Sequence, residues 1–300
     1  MSYFFAILSA TGYGFSDFCV HLASKSGRAT SSQALVINLL SGNLLLVAVA
    51  AVIYLTYGMP HIDLTGMLSF AAAGVAGPFL GRIFNITAIK NIGATRTTTL
   101  RVSETFFSML LAFVLLRNII PVRSLVGAIV LVAGVVMLIN ETNKGPRSPK
   151  VSRGLSALAL GSLFALIASL FFAIAGIFRL TGSAHNPSAI TGTLIGSMVA
   201  LVTNAGFAYF SGQLGIRWNV TRREVLFYAL GGLGNSTAML MFFLALIAGG
   251  QVALVTALKN MSPLFTLLFS WIFLRKVERF TLMLVVSIVL VIFGAFLIVM

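Results

Sequence analysis

The feature that most constrains this chain is a repeat. Its second half restates its first, and both copies are apolar enough to live in a bilayer. Residues 99–117 read TLRVSETFFSMLLAFVLLR, and residues 257–275 read ALKNMSPLFTLLFSWIFLR. Shifted by 158 residues, Arg101 falls on Lys259, Thr105 on Pro263 and Arg117 on Arg275. IVLVAG at 129–134 and IVLVIFG at 288–294 follow with a small slip. Two like halves can rock about a shared central site and expose it to each side in turn. Transport is therefore the first function to consider.

Length alone would accommodate two soluble domains in these 300 residues. Composition overrules that. Only 9% of residues are charged against 59% hydrophobic, too few charges to cover a soluble surface. Gln33–Met59 and Val225–Ala257 carry no charged side chain, and about 20 apolar residues suffice to cross a bilayer. The net charge of +14 fits basic loops facing an anionic leaflet. It does not point to nucleic acid, because no basic helix interleaved with exposed aromatics is present. Cys19 is the single cysteine, so no intrachain disulfide is expected. The first Lys is Lys25, so Tyr3–Leu22 reads as a retained first span rather than a cleaved leader.

The expected fold is an all-α integral membrane protein. Ten spans are expected, at about 3–23, 33–57, 65–89, 95–116, 121–140, 155–180, 188–211, 223–247, 252–274 and 280–299. The first five-helix repeat occupies 1–140, a polar basic linker 141–153, and the second repeat 154–300. Five is odd, so the second repeat inserts upside down relative to the first. The runs are continuously apolar, which argues against a β-barrel. Fourteen Lys and Arg fall near odd-numbered loops, against Arg117, Arg123 and Arg179 near even-numbered ones. That bias predicts odd loops in the cytoplasm and both termini outside.

Ionisable groups at membrane depth are functional candidates. Arg101 and Glu104 share one face of span four. They read either as a substrate-binding cation beside a proton-carrying acid, or as a self-neutralised pair. Lys259 is the repeat mate of Arg101 and has no carboxylate three or four residues away, so it reads either as served by a ligand carboxylate or phosphate, by Asn260 or by backbone carbonyls, or as a packing or snorkelling lysine. Asn260, Asn85, Asn235 and Ser169 are further substrate-binding candidates. Pro78 and Pro263 interrupt spans three and nine, and with Gly81 and Gly234 are candidates for helix breaks and gating. Asp17 in span one reads as a second proton-carrying acid or as an interfacial cap. Trp218 and Tyr228 are expected in the interfacial aromatic belt. There is no P-loop, no HExxH and no Cys/His cluster, so no ATP, metal or other cofactor is expected, and no enzymatic activity.

These residues resemble a known family. Gly93-Ala94 leads to Glu104-Thr105, and Ser262-Pro263 leads to Leu274-Arg275. That pattern is similar to the EamA-type exporters of the drug/metabolite transporter superfamily, over nearly the whole chain. The first copy departs from it, with Thr105 where Pro is usual. The resemblance implies efflux of small metabolites across the bacterial inner membrane through a central cavity between the halves, as in YddG-type amino-acid exporters. It also implies cytoplasmic termini, the reverse of the charge count. The expected partners are a small-molecule substrate and the lipid bilayer, with no nucleic acid and a monomeric chain. A flippase for lipid or a lipid-linked carrier, and a non-transporting scaffold, are the alternatives.

Overall fold

The computed structural model describes residues 1–25, 28–58, 60, 63–116, 121–144, 155–186, 188–210, 220–248, 252–274 and 281–300. These residues are helical almost throughout. Hydrocarbon gives backbone N–H and C=O groups no partner, so each segment must bond internally. The helices are α1 Ser2–Ser24, α2 Ser31–Tyr57, α3 Leu64–Gly74, a π segment Val75–Gly81, and α4 Arg82–Ile92. They continue with α5 Ala94–Arg101, α6 Glu104–Leu116, α7 Val122–Lys144, α8 Leu155–His185 and α9 Ala189–Phe210. The last are α10 Arg222–Ile247, α11 Val252–Lys259, α12 Ser262–Leu274 and α13 Leu282–Val299. Among the described residues six helical runs are long and apolar enough to cross a membrane, including Leu64–Ile92, and shorter apolar helices accompany them.

Local chemistry sets several of these boundaries. Thr30 and Gln33 form a capping box at the start of α2, and Thr221 with Glu224 does the same for α10. Thr281 caps α13 by accepting from Leu284 N at 3.2 Å. Gly93, at φ +87°, turns the chain between α4 and α5 where a side chain would be strained. In the π segment, Pro78 has no N–H to offer Gly74. The i+5 register hands that carbonyl to Phe79 instead, so the helix bulges rather than breaks.

Polar contacts tie the helix ends into two faces. On one, Lys90 Nζ donates to the Ala29 carbonyl (2.8 Å), and the Thr281 hydroxyl donates to Glu141 (2.7 Å). On the other, Asp63 meets His185 and Asn186, and Ser124 donates to the Ile298 carbonyl. The first face carries the odd-numbered connections and the second the even-numbered ones. Packing has an approximate two-fold. α1 packs on α10 as α8 packs on α3, the π segment and α4. α1 also touches α11 and α12 as α8 touches α5 and α6, while α7 pairs with α13. Small residues permit this closeness: a Cβ on Gly127 would lie 2.8 Å from the Gly294 carbonyl.

Four expectations are corrected. Spans four and nine are each two helices, broken after Arg101 and after Lys259. The breaks fall at matching positions because the 158-residue repeat is exact here. Tyr228 is fully buried rather than interfacial, since it packs into the core with Val20 and Leu35. Arg179 is not a loop cation, because α8 continues to His185. Helix α7 also runs to Lys144, four residues into the expected linker; the rest of that linker and Trp218 lie outside the described residues.

Candidate functional site

Helices of both halves meet around the two breaks at one cavity rich in polar side chains. Its cavity volume is about 80 Å³, or about 750 Å³ when the space open to solvent at its mouth is counted, and its walls come from both halves of the chain. The first half supplies Tyr13, Pro78, Arg82, Arg101 and Glu104. The second supplies Phe172, Arg179, Asn235, Met239, Lys259 and Asn260.

Two charged layers organise it. The first lies toward the odd face. Asp17, two turns from the end of α1, is fully buried and bridges two arginines. Arg82 Nη1 donates to its Oδ1 at 2.8 Å, and Arg101 Nη1 approaches Oδ2 at 2.9 Å. Asn85 Nδ2 adds a bond to Oδ1 at 3.2 Å, and the Thr98 hydroxyl lies 3.1 Å from Oδ2. Arg82 Nη2 also donates to Ser16 Oγ at 2.7 Å. Thr95, Thr266 and Ser270 continue this buried polar layer. Arg101 spreads its guanidinium over the rings of Tyr13 and Phe172, 5.8 and 5.9 Å from their centroids.

The second layer lies toward the even face. Lys259 Nζ is 3.5 Å from Glu104 Oε1, and both side chains keep exposed surface, 20% and 28%. Lys259 also sits over the Phe242 ring at 5.7 Å. Asn260 Nδ2 donates to Thr105 Oγ1 at 2.8 Å, joining the two helix breaks across the repeat axis. Arg179, six residues from the end of α8, is partly exposed in the cavity wall. The triad layer is closed and this layer is reachable, so the cavity is sealed toward the odd face and open toward the even one.

The expected Arg101–Glu104 pair does not form, because each finds a partner on another helix: Arg101 takes Asp17 and Glu104 takes Lys259. Asp17 is not an interfacial cap, since no part of it is exposed. Asn235, Asn260 and Pro78 line the cavity; Asn85 stands behind it on Asp17. Ser169 does not line the cavity. Its hydroxyl is buried against the Ala165 and Leu100 carbonyls, at 2.9 and 3.2 Å. Gly81 makes room for the Phe172 ring, and Gly234 lets α10 approach Gly12 and Phe15. Pro263 is buried in the first turn of α12, where its missing N–H is harmless. Sequence reasoning passed over Arg82, Tyr13 and Arg179 as site residues. An arginine at the depth of Arg82 was itself the signal.

Comparison with known proteins fits this architecture. One crystal structure, 16% identical, covers 96% of this chain and 96% of its own with a TM-score of 0.59, which speaks to the fold alone. A search of curated proteins found no match. The model of the EamA-like transporter family matches residues 1–140 and again 159–300, once on each half. The chain is a multi-pass membrane protein of the EamA-like transporter family.

Proposed function

We propose that the protein is a secondary transporter that exports small metabolites, amino acids foremost, across the bacterial inner membrane by alternating access. In this reading all ten helical rods cross the bilayer, and a monomer suffices. Residues 1–140 and 154–300 are the rocking halves, joined by the linker 141–153. The observation that carries it is the mid-depth cavity walled by both halves, closed by a buried ion triad on one side and open on the other. Rocking would dissolve the triad on the odd side and close the even side. Asn235 and Asn260 would bond the solute, and Phe172 would pack its apolar part. Glu104, the reachable acid, is the proton-coupling residue of this reading, because Asp17 has no exposed surface.

A lipid-carrier flippase is the second reading. A crevice of about 590 Å³, walled mostly by Phe79, Leu80, Ile83, Phe84, Phe164 and Phe207, favours it. Uptake of radiolabelled amino acids into proteoliposomes, with and without a pH gradient, separates the two. Saturable uptake above empty liposomes is expected, and its response to the gradient reports proton coupling. No uptake of any amino acid by demonstrably folded protein would sink the first reading.

A further inference from the structure

Among the described residues four cations surround the cavity, Arg82, Arg101, Arg179 and Lys259, and two carboxylates answer them, Asp17 and Glu104. Asp17 is shared between Arg82 and Arg101, and Glu104 is taken by Lys259. The balance is two positive charges. Among the described residues Arg179 has no ion pair and no hydrogen bond. Its Nη2 lies beside Gly77 of the π bulge, 3.4 Å from where a Cβ on that glycine would stand. Tyr13 lines the same cavity, and its hydroxyl likewise has no hydrogen-bond partner among the described residues. A cation held inside a bilayer protein without a counter-charge is costly. Here it is presented in the wall of an open cavity, beside a free phenol donor.

We infer that Arg179, with the Tyr13 hydroxyl, captures a carboxylate of the transported solute, and that the cavity selects small organic acids of net negative charge over net-neutral zwitterions. This rests on the transporter reading of the cavity and narrows its substrate class. Of the cations expected from sequence to hold that carboxylate, Lys259 is answered by Glu104, and Arg101 is held against Asp17, which it shares with Arg82. A guanidinium offers a carboxylate two parallel N–H donors, and a phenol can add a third. An acidic amino acid or a dicarboxylate brings the charge that balances the cavity, whereas a neutral amino acid brings none.

The test is binding of glutamate, succinate and leucine to purified protein in detergent, read by calorimetry, with transport of the same solutes in proteoliposomes as a separate readout. Wild type is expected to bind glutamate and succinate more tightly than leucine. Arg179→Gln should weaken the acids by about tenfold or more, the loss of a charge-assisted bond, and leave leucine nearly unchanged. Arg179→Lys should recover part of the loss, and Tyr13→Phe should weaken the acids less than Arg179→Gln. Removing Arg179 orphans no partner, so these variants should fold, and an unchanged melting temperature checks that. Equal binding of leucine and glutamate by wild type, no binding of either acid, or full acid binding by Arg179→Gln overturns the inference. Uptake of neutral amino acids untouched by Arg179→Gln would leave a transporter standing without this selectivity. Arg179-dependent acid binding without any transport would leave the site standing and remove the transporter.

Discussion

Asp17 sits between two arginines and is fully buried. Its removal is therefore not equivalent to removal of either partner. Asp17→Asn leaves Arg82 and Arg101 as two buried, unanswered cations, and breaking a buried ion pair from one side costs about 3–5 kcal/mol. Arg82→Gln leaves the Asp17–Arg101 pair neutral, so its cost should be clearly smaller. Thermal unfolding in detergent measures both, and an Arg82→Gln protein less stable than Asp17→Asn would refute the triad as described. Ser169→Ala gives the contrast. Its hydroxyl serves only main-chain carbonyls away from the cavity, so transport should be unchanged. Sequence reasoning reached Asp17, Arg101, Glu104 and Lys259 as the charges that matter, because charge at depth is rare and costly. It mispaired them, because spacing reveals partners only along one helix. The true partners are 84 positions apart for Asp17 and Arg101 and 155 for Glu104 and Lys259, and only the helix packing brings them together.

The two helix breaks show what an element inherits from the repeat and what it inherits from a single residue. Pro263 marks the second break, and Thr105 holds the same place in the first. Both copies nonetheless interrupt at the same register and tighten there. Ser103 N reaches the Leu100 carbonyl and Met261 N reaches that of Leu258, each three residues back. The proline is therefore not the cause of the break. Pro263→Ala should keep the break and most of the transport rate. Thr105→Val deletes the Asn260 bond that joins the breaks and should cost about 1 kcal/mol in unfolding free energy. Glycines divide in the same way. A Cβ on Gly232 would strike the Asn38 carbonyl, and one on Gly74 would strike the backbone of Gly196. Gly232→Ala and Gly74→Ala must push α10 from α2 and α3 from α9. Gly176 and Gly206 meet nothing within 4 Å, so alanine there should leave the melting temperature unchanged or higher. Equal losses at all four sites would show that these contacts are not tight. The repeat was legible as pattern. The π bulge was not, since Pro78 in an apolar run is equally compatible with a kink.

At the scale of the whole molecule, the asymmetry of charge and the asymmetry of the cavity point the same way. With Arg179 inside α8, the expected even-side loop cations fall to Arg117 and Arg123, while fourteen remain toward the odd side. That strengthens the bias toward odd loops in the cytoplasm. The triad also has no counterpart in the other half: α1 carries Asp17, whereas α8 carries no acid over Leu155–His185. One side of an otherwise two-fold arrangement therefore has an ionic seal, and the charge bias predicts that the open side faces out. Single-cysteine labelling tests both statements together, because Cys19 is 2% exposed and contributes little background. Met239→Cys, in the open part of the cavity wall, should react with a membrane-impermeant maleimide added to intact cells. Thr266→Cys, buried behind the triad, should stay protected from either side. Reaction of Met239→Cys only in inverted vesicles would reverse the orientation and keep the seal. Reaction of Thr266→Cys from the odd side would show that the triad does not close that face. Asp17→Asn should then convert the protected Thr266→Cys into a reactive one, because the two arginines it leaves repel each other.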